Sequence, residues 1–239
     1  MSCNGSLCAD YTVTLGIPRE RITLGHMVAD NEVLAQKSSA VSAMDQQRIR
    51  ETVDAQGICL LYVGRMLKLK GLHELLRAWR SVEAKQPDAF LVLVGDGPES
   101  EALQGYVAKH GLKRVRFTGR IAHDEIATWY ASADCFVIPT LEDNWSLVVP
   151  EAMACGLPIV CSKYNGCWPE LVQESNGWVF DPLDHDEFVQ TLNASIDDHK
   201  NYPSRSESSR KIVARFSPKT GAQAIIDAAQ IAKDRLELH

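Results

Sequence analysis

After Gly57 the chain alternates two kinds of hydrophobic pattern. Short apolar runs, ICLLYVG (58–64), FLVLVG (90–95), VRFTG (115–119), CFVIP (135–139) and PIVCS (158–162), have the length and the Val/Ile/Leu/Phe content of strands buried on both faces. Longer segments with apolar residues three and four apart lie between them. In HELLRAWRSVEAKQ (73–86), Leu75, Leu76, Trp79 and Val82 fall on one side of a helix. Further helices are expected near 100–110, over HDEIATWYASA (123–133), from about Ser146 to Cys155 and over HDEFVQTLNASIDD (185–198), while PELVQESNGWVF (169–180) ends as a strand. Strands that alternate with amphipathic helices predict an α/β protein: a Rossmann-like, doubly wound parallel sheet whose ligand sites lie beyond the C-terminal ends of its strands.

Residues 1–56 lack this rhythm. They hold a helix-like start, the turn LGIPRERI and a polar stretch around Ala35 to Gln56 that has the character of a linker. From Ser217 the tail regains helical spacing, with Ala224, Ile225, Ala228 and Ile231 on one face. The expected division is therefore 1–56, a Rossmann-like domain over 57–216, and a C-terminal helix over 217–239. The polar SRSESSR (204–210) is expected to be a solvated turn or helix end.

Composition narrows the function classes. With 239 residues, 45% hydrophobic and 23% charged, the chain can build one good-sized core. A net charge of -6, with no basic block interleaved with aromatics, argues against a nucleic-acid partner. No apolar run approaches the roughly 18 residues of a membrane span, and MSCNGSLCAD lacks the regions of a signal peptide, so a cytoplasmic location is the default expectation. The seven cysteines include no C-x2-C pair; the even spacing of Cys155, Cys161 and Cys167 suggests a metal, but buried structural thiols are the commoner use. His73, His123 and His185 fall at predicted helix starts, His110 and His199 at helix ends, and His26 in the irregular part; no catalytic histidine is assigned.

The richest segment is DNWSLVVPEAMACG (143–156), which places Asp143 and Glu151 eight positions apart around the start of an apolar helix. N–H groups at such a start, at Ser146, Leu147 and Val148, can receive phosphate or sugar oxygens, and the helix dipole favours negative charge. Glu151, about one and a half turns in by the 3.6-residue period, is placed to accept two hydrogen bonds from a ribose diol; Asp143, in the loop ahead, can meet sugar hydroxyls. Gly64-Arg65 and Lys70-Gly71 form a second cluster, two cations in the loop after the first strand, suited to a diphosphate. VGDGPE (94–99) is either a close backbone approach to a ligand or simply a tight strand-to-helix turn. In FTGRI (117–121), Arg120 is a candidate base contact, against the alternative of a surface arginine. Trp168 and Trp178 are read as core or rim residues ahead of sugar platforms.

Segment 143–154 resembles the E-x7-E region of the retaining glycosyltransferases of GT-B fold, family 4. That family shows Glu, any residue, Phe-Gly-Leu, three residues, then Glu-Ala-Met-Ala; here the positions are Asp143, Trp145, Ser146, Leu147 and Glu151-Ala152-Met153-Ala154. Asp replaces the first Glu, with Glu142 one residue earlier, so either carboxylate is a candidate for the sugar. Ser146 replaces a glycine and would narrow the pocket. The resemblance implies a nucleoside-diphosphate-sugar donor, UDP- or GDP-linked, with Arg65 and Lys70 on the diphosphate, Glu151 on the ribose, and Gly64, Arg120 and Ile121 lining the donor site, Arg120 by stacking and Ile121 through its backbone. It implies transfer of a hexosyl group with retention to a sugar or lipid-linked acceptor and needs no metal cofactor. LGIP-x-x-R-I resembles the phrase that closes the family's N-terminal lobe, so the chain is expected to be a donor-binding lobe, truncated or paired with a separate N-terminal lobe, acting in the cytoplasm or at the inner membrane face. The alternative is a truncated or degenerate nucleotide-binding module without independent catalysis.

Overall fold

The computed structural model describes residues 1–25 and 27–236; His26 and the last three positions of the expected C-terminal helix lie outside them. The N-terminal part contains a two-residue strand β1 (Ser2–Cys3), helix α1 (Ser6–Thr14), strand β2 (Thr23–Leu24) parallel to β1, and helices α2 (Asn31–Ser39) and α3 (Ala43–Thr52). The alternating part then runs β3 (Ile58–Val63), α4 (Leu72–Glu83), β4 (Ala89–Val94), α5 (Ser100–His110), β5 (Val115–Gly119), α6 (Ile126–Ala131), β6 (Cys135–Ile138), α7 (Val148–Ala154), β7 (Ile159–Ser162), α8 (Trp168–Leu171), β8 (Gly177–Phe180) and α9 (His185–Asp197). Helices α10 (Tyr202–Val213) and α11 (Pro218–Leu236) follow.

Strands β3 to β8 form one parallel sheet in the order β5-β4-β3-β6-β7-β8. The chain winds outward from β3 through β5, crosses to β6, and winds outward the other way. The expected doubly wound α/β fold is thus present, and its switch point lies between β3 and β6, where helices from opposite faces leave a crevice. Both sheet faces are covered, which is why Leu60, Leu61 and Tyr62 of β3 and Leu91, Val92 and Leu93 of β4 are all buried in succession. Helix α4 buries Leu75, Leu76, Trp79 and Val82, the face its spacing predicted.

The linker-like stretch around 35–56 is instead largely helical. Few apolar residues mark it: Leu34, Ala35, Ile49 and Val53 pack on the core, and capping and one anchored cation add to them. Asp30 accepts from the Val33 amide and Ser42 from the Asp45 amide, satisfying N-terminal donors of α2 and α3. Arg50 ties α3 to the sheet domain: Nε donates to the Ser132 carbonyl at 2.8 Å, Nη1 to the Gly57 carbonyl at 2.7 Å, and Nη2 to Asp134 Oδ2 at 2.7 Å. Arg50→Ala is expected to cost about 1 kcal/mol of unfolding free energy, read from the urea midpoint, because it leaves two carbonyls and a carboxylate without that donor.

The polar stretch 204–210 also differs from expectation, lying in the middle of α10. Ser209 is fully buried there, donating to the Leu157 carbonyl at 2.8 Å and accepting from Asn176 Nδ2 at 3.3 Å. Six of the seven cysteines are buried, and burial pushes the Cys59 and Cys135 thiols up to about 12. No helix among the described residues is long and apolar enough to cross a membrane.

Candidate functional site

A cleft of about 670 Å³ opens beyond the C-terminal ends of β3 and β4. Its walls are Gly64 and Arg65 after β3, Gly95 to Gly97 after β4, and Arg120 to His123 after β5; Glu151 of α7 reaches it from the far side of the switch point. The glycines allow two loops to touch backbone to backbone. A Cβ on Gly95, whose φ is +127°, would stand 2.0 Å from the Gly64 carbonyl oxygen, and one on Gly97 would stand 2.4 Å from that of Met66. The tight strand-to-helix turn read from GDGP is present: it packs on the loop that carries Arg65, and that packing forms one wall of the cleft.

Glu151 lies in the first turn of α7, earlier than expected, because the helix starts at Val148 rather than Ser146. Its Oε2 accepts from the hydroxyl of Tyr130, on α6, at 3.0 Å. Oε1 has no hydrogen-bond partner among the described residues. Burial raises the Glu151 carboxyl above its ordinary value, against the opposing pull of the Tyr130 hydrogen bond and the His123 charge. Burial, then the neighbouring Glu151 charge, holds the Tyr130 phenol well above its usual range, so Tyr130 remains a donor. Arg65 and Arg120 are both exposed, and neither guanidinium has a hydrogen-bond or ion-pair partner among the described residues.

A second cluster bridges the switch point. The loop after β3 packs on the loop after β6: Thr140 Oγ1 and the Leu141 amide both donate to the Leu69 carbonyl, at 3.0 and 2.8 Å. A Cβ on Gly71, with φ +68°, would come 1.9 Å from the Pro139 oxygen. This brings Lys70 Nζ within 2.5 Å of Asp143 Oδ2, with the two side chains 25% and 15% exposed. Ser146 Oγ donates to the same oxygen at 2.5 Å, the Trp145 amide donates to Oδ1 at 3.1 Å, and Asn165 Nδ2 donates to Ser146 Oγ at 2.9 Å. Burial pushes the Asp143 carboxyl up, but the Lys70 hydrogen bond and charge, the Ser146 hydroxyl and the Trp145 amide outweigh it and hold the group below its ordinary value.

Of the residues predicted from sequence, Gly64, Arg65, Arg120, Ile121 and Glu151 gather around the one cleft. Lys70, Asp143, Ser146, Leu147 and Val148 do not line it; they belong to the bridging cluster and the start of α7. Asp143 faces Lys70, whereas Glu142 is exposed. The Ser146 side chain is buried and turned toward Asp143 and Asn165. Sequence reasoning did not find Tyr130 or Asn165, since a tyrosine in ATWYASA and an asparagine in a loop carry no local mark of a distant partner. His123, expected at a helix start, lies in the cleft wall instead, because α6 begins at Ile126. His73, at a helix start where a cap or a solvated side chain is expected, pairs its Nε2 with Glu99 Oε2 at 2.7 Å.

Residues 44–212 match the family described as glycosyl transferases group 1, well over half of the chain. The chain belongs to this family. Among curated relatives, it is 34% identical over 145 residues to sulfoquinovosyl transferase SQD2 of Arabidopsis thaliana, covering 59% of this chain and 27% of the relative. It is 28% identical over 195 residues to D-inositol 3-phosphate glycosyltransferase 2 of Catenulispora acidiphila, covering 77% and 46%. The chain thus spans less than half the length of these two relatives. Among solved structures, the C-terminal domain of the group 1 family protein LpcC from Francisella tularensis superposes with a TM-score of 0.66 at 27% identity, over 78% of this chain and 96% of that one. Anabaena HepE in complex with UDP and glucose superposes with a TM-score of 0.80 at 23% identity, over 96% of this chain and 62% of that one, a likeness of fold. The sheet of this group 1 chain is a Rossmann-like lobe of the GT-B fold.

Proposed function

We propose that this chain is the donor-binding lobe of a retaining glycosyltransferase of family 4 that takes a UDP- or GDP-linked hexose. The observation that carries this reading is the placement of Glu151, half-satisfied by Tyr130, across a cleft from two guanidiniums at the strand ends; Oε1 and both guanidiniums lack partners among the described residues. A nucleoside diphosphate needs an acceptor for its ribose hydroxyls and cations for its phosphates. In this reading Glu151 takes the ribose diol, Arg65 the diphosphate, and Arg120 with the Ile121 backbone the base. Lys70 supplies a second cation to the distal phosphate, and Glu142 or Asp143 meets the sugar hydroxyls. As the bond from the anomeric carbon to the phosphate oxygen breaks, its electron pair goes to the phosphate, and the two cations stabilise that charge in place of a metal. The acceptor hydroxyl attacks from the face the phosphate leaves and passes its proton to that phosphate, so configuration is retained. The acceptor is a sugar or lipid-linked glycan bound with the help of an N-terminal lobe, at the cytoplasmic side.

Calorimetric titration with UDP, GDP and ADP in the presence of EDTA tests this reading. Saturable, base-selective binding is the expected result; no binding to any of the three would overturn it. Arg65→Ala is expected to weaken UDP binding by about 1 kcal/mol, the scale for an exposed, solvent-screened cation, while leaving uridine binding unchanged. An equal loss on both ligands would remove Arg65 from the diphosphate.

A further inference from the structure

A second cleft, of about 690 Å³, lies at the β8 edge of the sheet between α8 and α9 and shares no lining residue with the cleft that holds Glu151. Two half-buried indoles, Trp168 and Trp178, line it together with Val172 and Val179. Trp178 is held as a rigid plate: the Arg205 guanidinium covers one face at 4.1 Å from the ring centroid, and Arg205 is itself fixed by Asp198 at 2.5 Å and the Glu174 carbonyl at 2.6 Å. Neither indole N–H has a hydrogen-bond partner among the described residues, and neither is among the sealed, unpartnered atoms, unlike those of Trp79 and Trp145. The side chains of Gln173, Glu174, Gln190 and Thr191 line the same groove, also without hydrogen-bond partners among the described residues.

We propose that this groove binds a neutral oligosaccharide, at a site separate from the donor cleft. The face of an indole carries negative potential that attracts the C–H groups of a sugar ring, while the N–H at its edge can donate to a hydroxyl. Amide and hydroxyl side chains both donate and accept, which matches a ligand rich in hydroxyls. Glu174 is the single charged side chain of the lining, so the groove offers no counter-charge to a polyanion. Its volume is within the range of roughly 300–1,000 Å³ typical of small-ligand sites.

A peptide added as a further strand fits less well. Phe180 and Asn176 turn their carbonyls to the β7 side, accepting from the Lys163 and Ile159 amides, so with a period of two the backbone groups of Gly177 and Val179 face outward. The Gly177 amide is already bound to the Gln173 carbonyl, and the outward amide just past the strand, of Asp181, to Glu187 Oε1. Val179 alone retains a free outward amide in this four-residue strand, too short a ladder for strand addition.

The test is calorimetric titration of this chain with maltohexaose, cellohexaose and an α-mannohexaose, with and without saturating UDP. At least one glycan is expected to bind in the millimolar range, equally well with UDP present. Trp178→Ala is expected to weaken it by about tenfold, on the scale of a lost aromatic contact. Because that variant can perturb the sheet edge, Ala194→Arg, on the exposed face of α9 at the groove wall, is the second: it should block the glycan while UDP binding and the melting temperature stay unchanged. No binding of any of the three, displacement by UDP, or binding that survives Ala194→Arg would each overturn the proposal. So would self-association that Ala194→Arg abolishes without any glycan binding, which would make the groove a contact between copies. UDP affinity is read on the same samples, so failure of the donor-site reading is seen separately.

Discussion

Replacing Glu151 by alanine is expected to weaken binding of the preferred nucleoside diphosphate by about 1–3 kcal/mol, the scale for losing hydrogen bonds to a charged acceptor. The loss should appear equally with the nucleoside alone, because the proposed partner is ribose and not phosphate. Tyr130→Phe should cost less, since it removes only the donor that holds Oε2. Unchanged affinity in Glu151→Ala would remove the ribose assignment. The carboxyl also sets a pH dependence. Its value in the folded chain is raised above 4.5, chiefly by burial, so as the pH falls it protonates and stops acting as a full acceptor earlier than an ordinary glutamate. Affinity should therefore fall on the acid side from a pH above 4.5, and Glu151→Gln should flatten that limb. A raised carboxyl favours the folded state below its unfolded value, and that contribution is lost as the pH rises through the folded value. Near neutral pH the charged, desolvated Glu151 is a cost to the fold that offsets the loss of an acceptor for the buried Tyr130 hydroxyl, so Glu151→Ala should leave the melting temperature nearly unchanged. Lost binding with a retained melting temperature separates a site effect from unfolding.

Asp143→Ala is expected to destabilise the chain by about 2–3 kcal/mol at neutral pH, read from urea denaturation, because it strips a counter-charge from the mostly buried Lys70 and leaves the Ser146 hydroxyl and Trp145 amide without their acceptor. The sign of its pH dependence is opposite to that of Glu151. A carboxyl held below its ordinary 3.8 stabilises the fold above that value and loses the contribution as the pH falls through the lower, folded value. The parent should therefore lose stability more steeply below pH 3.8 than Asp143→Ala does. Equal acid sensitivity in the two proteins would show that the Lys70–Asp143 contact is solvated and contributes nothing. Asp143→Asn should fall between them, since the amide keeps one oxygen for the Ser146 and Trp145 donors but no charge for Lys70.

These two carboxylates also mark where sequence and tertiary structure divide the explanation. The strands of a parallel sheet covered on both faces need continuous apolar runs, and ICLLYV or AFLVLV announces such a strand without help from the rest of the chain. A doubly wound sheet exposes its strand C-termini at one edge, so residues just past those runs, such as Arg65 and Arg120, were expected around one cleft and are found there. The strength of α4 was legible for the same reason, since its buried face repeats every three or four residues. Helices α2 and α3 were not legible, because their caps and the Arg50 anchor are single polar contacts rather than a periodic pattern, and Arg50 reaches residues up to 84 positions away.

The same limit governs the chemistry of the site. That Glu151 and Asp143 flank a helix start was local information, available from their spacing. That one is raised was decided by burial of Glu151, which outweighs Tyr130 and His123, and that the other is lowered was decided chiefly by Lys70 and Ser146, which outweigh the burial of Asp143. Local pattern determined the strands and helices of the alternating part and which side chains stand at its strand ends, because backbone geometry and apolar burial repeat with short periods. Only the tertiary structure decided which carboxylate keeps an oxygen free and which is paired with a lysine, because burial and charge pairing depend on groups brought together by the crossover of the sheet.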